Sequence, residues 1–236
     1  MPGFFKLRRR TLMPVALALV GCASTAPSSA QTTSVPYDKT WNIAKFWSGE
    51  YPTGFSVTRR GTIVLARSGM DKSLPRTIKC ELPYLAVIHP WNQSRVKKSN
   101  IEFLSATKIE RLTAKQDFDF HDIAIKKGDI LEYVQPFSEG MFQVRVAGKL
   151  YDADETLFEQ LEDVEKGQLI QDEWVALNCQ RGGRAYIYLA DIDVRPYENV
   201  KSTVPGISDM GPEAMGYGKT RDITEKEARE LEKKAK

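Results

Sequence analysis

The run Ile123-Ala124-Ile125-Lys126-Lys127-Gly128-Asp129-Ile130-Leu131-Glu132-Tyr133 decides how the rest of the chain is read. Apolar residues flank a short polar turn on both sides. Gly128 can take the positive φ that a tight turn needs, and the Asp129 carboxylate can hydrogen-bond the turn's own backbone. The spacing predicts two strands diverging from that turn and burying Ile123, Ile125, Ile130 and Tyr133.

Outward from the turn, the texture stays that of short strands. Residues 130–134 and 141–146 are the clearest. In the second, Phe142, Val144 and Val146 share one face while Gln143 and Arg145 share the other. Residues 62–66, 84–88, 101–104, 108–112, 174–177 and 185–189 continue the series, bounded by Gly, Pro and Ser. Many short strands with frequent turns point to a mainly β fold, a small barrel or sandwich rather than a parallel α/β sheet. One helix is expected among them. Asp152-Ala153-Asp154-Glu155 reads as a capping box, after which Leu157, Leu161 and Val164 share a face and Gly167 fits the stop.

Residues 123–133 resemble the Src-homology-3 pattern of hydrophobic, small, hydrophobic, two polar residues, Gly-Asp and a strand. Downstream, Gly140-Met141-Phe142-Gln143-Val144-Arg145-Val146-Ala147-Gly148-Lys149 is similar to the family's turn, aromatic pair, alternating strand and distal hairpin glycine. The helical turn at residues 154–157 falls where the family has its short closing helix. The resemblance implies an SH3-like barrel, and residues 101–166 are assigned to it. Met141 stands where the family has the tryptophan that walls its proline-peptide groove, and the upstream aromatic motif is missing from residues 111–120. Proline-peptide binding by stacking is therefore not implied. Binding candidates are Phe137, Met141 and Phe142 around the groove position, together with Trp91; for each, packing in a core or under a loop is the competing role.

A second likeness flanks the first. Leu65-Ala66-Arg67-Ser68-Gly69 with Cys80-Glu81-Leu82-Pro83 is similar to the opening of bacterial SH3-like modules. Trp174-Val175-Ala176-Leu177 with Gly182-Gly183, Tyr186-Ile187-Tyr188 and Asp191-Ile192 is similar to their closing half. Together these imply an outer barrel built from residues 57–91 and 170–195, with the other barrel inserted between its halves; two unrelated sheets are the alternative. Residues 37–56, with Tyr37, Trp41, Phe46, Trp47 and Tyr51, read as an aromatic-rich helical lid capped by Asp38 or Thr40, in which Trp41, Ala44 and Trp47 share a face; an exposed aromatic platform for sugar or peptide is the alternative. Residues 197–222, rich in Gly and Pro, read as a linker, and 223–236 as a charged helix with a thin apolar stripe.

The chain opens on an export address. Lys6, Arg8, Arg9 and Arg10 precede an apolar core at residues 12–20 that is too short to span a bilayer. The core runs into Leu19-Val20-Gly21-Cys22, which resembles the bacterial lipoprotein signal. That resemblance implies removal of residues 1–21, acylation of Cys22, and a membrane partner reached through acyl chains. Ala23 in place of Asp implies the outer membrane, facing the periplasm. Ser28-Ser29-Ala30 offers a competing cleavage site that leaves the chain soluble in the periplasm. Residues 22–36, small, polar and proline-broken, read as a flexible tether.

Composition narrows the partners. The 236 residues carry a formal charge of +3, but four of the positive groups lie in residues 1–21 with no acid among them, so the chain from Cys22 carries −1. A near-neutral chain has no field to attract nucleic acid, which is excluded as a partner. With Cys22 acylated, Cys80 and Cys179 remain. In a compartment that permits disulfides they are expected to bridge; two reduced, buried thiols are the alternative.

Catalytic patterns are largely missing. His89 and His121 have no neighbour at ligand spacing, and neither His-Glu-x-x-His nor Cys-x-x-Cys occurs, so no metal and no cofactor is expected. Gly218-Lys219-Thr220 imitates the end of a phosphate loop, but Glu213 stands where the earlier glycine belongs. Asp117 with Asp119 and Asp191 with Asp193 alternate as surface does. Two functions remain. One is a non-enzymatic binding or scaffold module for an envelope protein or a cell-wall component such as peptidoglycan. The other is a cell-wall hydrolase or transpeptidase whose nucleophile is Cys80 or Cys179.

Overall fold

The computed structural model describes residues 37–45, 54–163, 170–192, 202–208, 215–216 and 219–234. The export address, Cys22 and the tether lie outside the described residues. The fold is mainly β. Strands β1 (Trp41–Lys45), β2 (Phe55–Val57), β3 (Ile63–Ala66), β4 (Ile78–Glu81) and β5 (Val87–Ile88) precede the short helix α1 (Gln93–Ser99) and β6 (Glu102–Lys108). There follow β7 (Glu110–Ala114), β8 (Phe118–Phe120), β9 (Ile123–Ile125), β10 (Ile130–Ser138), β11 (Met141–Val146), β12 (Lys149–Asp154) and β13 (Leu161–Asp163). Then come β14 (Gln171–Asn178), β15 (Arg184–Tyr188), β16 (Ile207–Ser208) and the helix α2 (Glu225–Lys234).

Strands β7 to β13 form an SH3-like barrel from one continuous run. The sheet order is β12-β11-β10-β7-β13, the hairpin β8–β9 leaves between the first two strands, and a 3-10 turn at Glu155–Gln160 interrupts the passage to the last. The diverging turn is built as its residues dictate. Gly128 has φ +91°, Asp129 Oδ2 accepts from the Lys126 amide at 2.8 Å, and the Gly128 amide donates to the Ala114 carbonyl at 2.9 Å. Leu112, Ile125, Leu131, Tyr133, Phe142, Val144, Leu157 and Leu161 pack in its core.

The remaining strands make two further sheets around it: β16 pairs with β2, which pairs with β5, and β1-β6-β14-β15 form a second sheet, with α1 between β5 and β6 in the chain. The hairpin β3–β4 occupies the place of β8–β9, and a 3-10 turn at Leu189–Asp191 follows β15. The inserted barrel thus sits in the connection between β6 and β14, whose pairing (Trp174 opposite Leu104, Val175 opposite Phe103) closes the outer barrel across it. Phe55, Val57, Val64, Leu82, Ile88, Val175, Leu177 and Ile187 form a separate core. Each hairpin leans on its barrel's fourth strand. Arg67 and Tyr186 exchange two backbone hydrogen bonds of 2.9 Å, and His121 Nε2 donates to the Asp152 carbonyl at 2.9 Å.

Several expectations are corrected. Residues 41–45 are a strand paired with β6, not part of a helical lid. Asp38 does cap, accepting from the Thr40 amide at 2.8 Å, but the turn it closes leads into a ladder that satisfies the backbone equally well. Residues 46–53 lie outside the described residues. Ile130 is exposed and Leu131 is buried. Ile130 and Tyr133 are three apart, so in one strand they point to opposite faces, and Leu131 is the residue that shares Tyr133's side. The start of the inserted unit moves from residue 101 to β7, because β6 pairs with β1 and β14. The capping box shifts by two residues. Asp152 and Ala153 still pair with β11, so Asp154 becomes the cap, accepting from the Thr156 amide at 3.0 Å, and the turn is 3-10.

The span 197–222 is not simply a linker. Within it β16 completes the outer barrel, Gly206 and Ile207 are buried, and Asp222 is a clamp. Its carboxylate accepts from the Val87 amide at 3.1 Å and Asn92 Nδ2 at 2.9 Å, and it pairs with Arg95. Burial alone raises the Asp222 carboxyl, but these donors outweigh it and hold the group below its ordinary range. Directly after it, Ile223, Ala228 and Leu231 pack on Val87 and Leu85, so the thin stripe of α2 is used against the chain itself. Helix α1 has no counterpart among the sequence expectations.

Candidate functional site

The polar centre of the outer barrel is Asp172, on β14, whose side chain is 5% exposed. A buried carboxylate is costly unless charge and hydrogen bonds compensate it. Three donors do so here. Tyr188 Oη donates to Oδ1 at 2.8 Å, Tyr37 Oη to Oδ2 at 3.1 Å, and Lys72 Nζ lies 2.7 Å from Oδ2. Trp174 Nε1 in turn donates to Tyr37 Oη at 2.9 Å. The strand period explains part of this convergence. Asp172 and Trp174 are two apart on β14 and share a face, and Trp174 lies opposite Tyr188 on β15.

Aromatic rings wall the site. Tyr37 and Trp41 have centroids 5.0 Å apart, as do Trp174 and Tyr188. The Lys72 ammonium lies 5.6 Å from the Tyr188 ring centre and 6.0 Å from that of Trp41, within cation–π range. Behind it, the Arg67 guanidinium lies 5.6 Å from the Trp174 ring centre and pairs with Asp191. Arg67 also donates to the carbonyls of Leu74 (3.1 Å) and Lys72 (3.5 Å), which pins the loop that carries Lys72.

The two phenols are pushed upward by their surroundings. Burial first, and then the hydrogen bond to Asp172, pushes the Tyr188 phenol up to about 12. Burial and the charge of Asp172 raise Tyr37 as well. Phenols held that high keep their protons near neutrality and donate them to the Asp172 oxygens.

The residues singled out from sequence fall in different places. Cys80, on β4, and Cys179, just beyond β14, form a disulfide with Cα atoms 5.0 Å apart. Cys22 lies outside the described residues. Phe142 is no surface contact. It is 4% exposed, stacks on Phe158 (4.3 Å) and lies tilted against Tyr133 (5.5 Å), because every second residue of β11 points inward. Met141 and Phe137 are half-buried, on β11 and β10 of the same barrel. Trp91 belongs to the outer barrel, before α1, its amide donating to His89 Nδ1 at 3.1 Å. Phe158, more exposed than these, went unnoticed. Among the described residues no group of three or more His, Cys, Asp or Glu could hold a metal ion. No helix among them is long and apolar enough to cross a membrane.

Tyr37 is one of the aromatic residues singled out at 37–56, but Lys72, Asp172 and Tyr188 are not among the sequence candidates. One signal existed: Asp172 falls in register with Trp174 in a strand otherwise headed for the core, where an acid demands partners. Nothing local says that one of those partners, Tyr37, lies 135 residues upstream, or that Lys72 is another. No protein-family model, curated protein or solved structure matches the chain.

Proposed function

We propose that the chain is a non-enzymatic binding or scaffold module of the bacterial envelope, lipid-anchored through Cys22 at the outer membrane and facing the periplasm. The observation that carries the binding part is the Asp172 site: neutral phenols, a seated ammonium and the half-buried Trp41 converge on one buried carboxylate. The Cys80–Cys179 disulfide supports export, since such bridges persist in oxidising compartments. It also ties up the thiols that a cysteine hydrolase or transpeptidase would have to use.

Two measurements test this. Cells fed a labelled fatty acid incorporate it into the protein, and Cys22→Ser abolishes incorporation. A photo-crosslinking residue in place of Trp41 forms adducts in intact cells with an envelope protein or with cell-wall material. An unlabelled protein, or adducts with cytoplasmic proteins alone, overturns the proposal.

A further inference from the structure

The Asp172 site already holds the end group of a lysine. Asp172 is nearly closed to solvent, two phenols fix its oxygens, and the rings of Tyr188 and Trp41 face the remaining position, where the Lys72 ammonium sits. Those are the requirements of a receptor for an alkylammonium: a desolvated carboxylate for the charge and aromatic faces for its flanks. The occupant is fastened differently from its surroundings. Arg67 anchors the Lys72 carbonyl, and Asp71 Oδ1 accepts from the Ser73 amide at 2.8 Å and the Ser73 hydroxyl at 2.7 Å. The Lys72 side chain, by contrast, is 46% exposed on a flexible four-carbon stem. It can swing out while the backbone stays in place.

Resting on the binding reading above, we propose that this cage is a receptor for a primary alkylammonium on a flexible stem, such as a lysine-type side chain of a partner peptide, and that Lys72 is a built-in plug competing for the same seat. The plug keeps Asp172 compensated when no partner is present. It also sets a threshold, because an attached competitor acts at an effective concentration in roughly the millimolar range. The apparent affinity for an incoming amine falls by the fraction of molecules whose seat is open.

The test uses the chain from Cys22 onward, with Cys22→Ser to keep it soluble, and Nα-acetyl-lysine methylamide as the probe. Binding is read from tryptophan fluorescence and backbone chemical shifts. Lys72→Met is expected to bind the probe about tenfold or more tightly than the parent chain. The Nε-acetylated probe, which lacks the charge, is expected not to bind. Trp41→Ala in the Lys72→Met background weakens binding severalfold, and Asp172→Asn abolishes it. Trp41 lies at a sheet edge, so its variant stands in should Asp172→Asn fail to fold. Equal binding of the charged and acetylated probes, or no saturable binding by folded Lys72→Met, overturns the cage. Equal affinity with and without Lys72 overturns the plug. If these fail while crosslinks from position 41 still reach envelope material, only the ligand assignment falls; if the crosslinks fail too, the binding reading falls with it.

Discussion

The inserted barrel is built on one five-stranded sheet from a continuous stretch, whereas the strands of the outer barrel fall in two sheets and are split in sequence by it. In the inserted barrel, β10–β11 and β11–β12 meet through tight turns that close short loops at small entropic cost, and only β13, returning to β7, spans the length of the unit. Its ion pairs are correspondingly dispensable. Lys126–Asp117 and Arg145–Glu132 are exposed or a third exposed, where such pairs contribute little. The outer barrel has to bring β14 back to β6 across the whole insertion, and its fastenings are of another kind. It has the Cys80–Cys179 bridge, the largely buried Arg67–Asp191 pair and the Asp222 clamp. In the split barrel, stabilisation shifts from turns to long-range links.

The sharpest way to break the comparison is to remove the bridge. With Cys80 and Cys179 both replaced by Ser, the outer barrel loses about 4 kcal/mol by the loop-entropy argument, somewhat less where the folded inserted barrel shortens the effective loop. Calorimetry is expected to show a low-temperature transition for the outer barrel alone. Leu131→Ala, at a fully buried position of the inserted core, is the counterpart and costs about 3 kcal/mol there. A single transition that moves as one in both variants means that the barrels unfold together.

Two glycines sharpen the contrast at smaller scale. Both take positive φ, Gly128 at +91° and Gly206 at +86°. A Cβ on Gly128 meets nothing within 4 Å, so Gly128→Ala carries backbone strain alone, about 1 kcal/mol. A Cβ on Gly206 meets Arg59 Cβ at 2.9 Å and Thr62 Oγ1 closer still, so Gly206→Ala adds a clash where β16 joins β2. Denaturant titration is expected to rank Gly206→Ala as clearly the more damaging, by roughly 2 kcal/mol or more in total.

The smallest effect is local and pH-dependent. The Arg221 guanidinium, with the Thr224 amide, brings the Glu227 carboxyl down to about 2 in the fold from an ordinary 4.5, and Asp222 is held below its ordinary 3.8. Carboxyls depressed by folding stabilise it above their unfolded values and lose that contribution as pH falls through the folded ones. The docking of α2 is therefore expected to weaken between pH 4.5 and about 2. Amide exchange at Ile223 and Ala228 should accelerate over that window while the inserted core stays protected. Acceleration in both regions together removes the distinction.

Legibility follows the same division. Gly128 and Asp129 announce their turn, and Phe142, Val144 and Val146 announce their face, because the relevant partners are a few residues away. Trp41, Ala44 and Trp47 keep a helical spacing, but β6 supplies a ladder that no local pattern reveals. The stripe of α2 looked too thin to hold a helix alone; its contacts with Val87 and Leu85 supply what the stripe lacks.

By itself the sequence determined the fold class and the inserted barrel's turns and most of its inward faces, Ile130 excepted. These depend on alternation and turn chemistry, which act over short separations. Tertiary structure alone decided that 41–45 is a strand, that β16 and α2 belong to the outer barrel, and that Tyr37, Lys72, Asp172 and Tyr188 meet. A buried carboxylate specifies that it must be compensated; which residues do so is settled only when distant strands come into register.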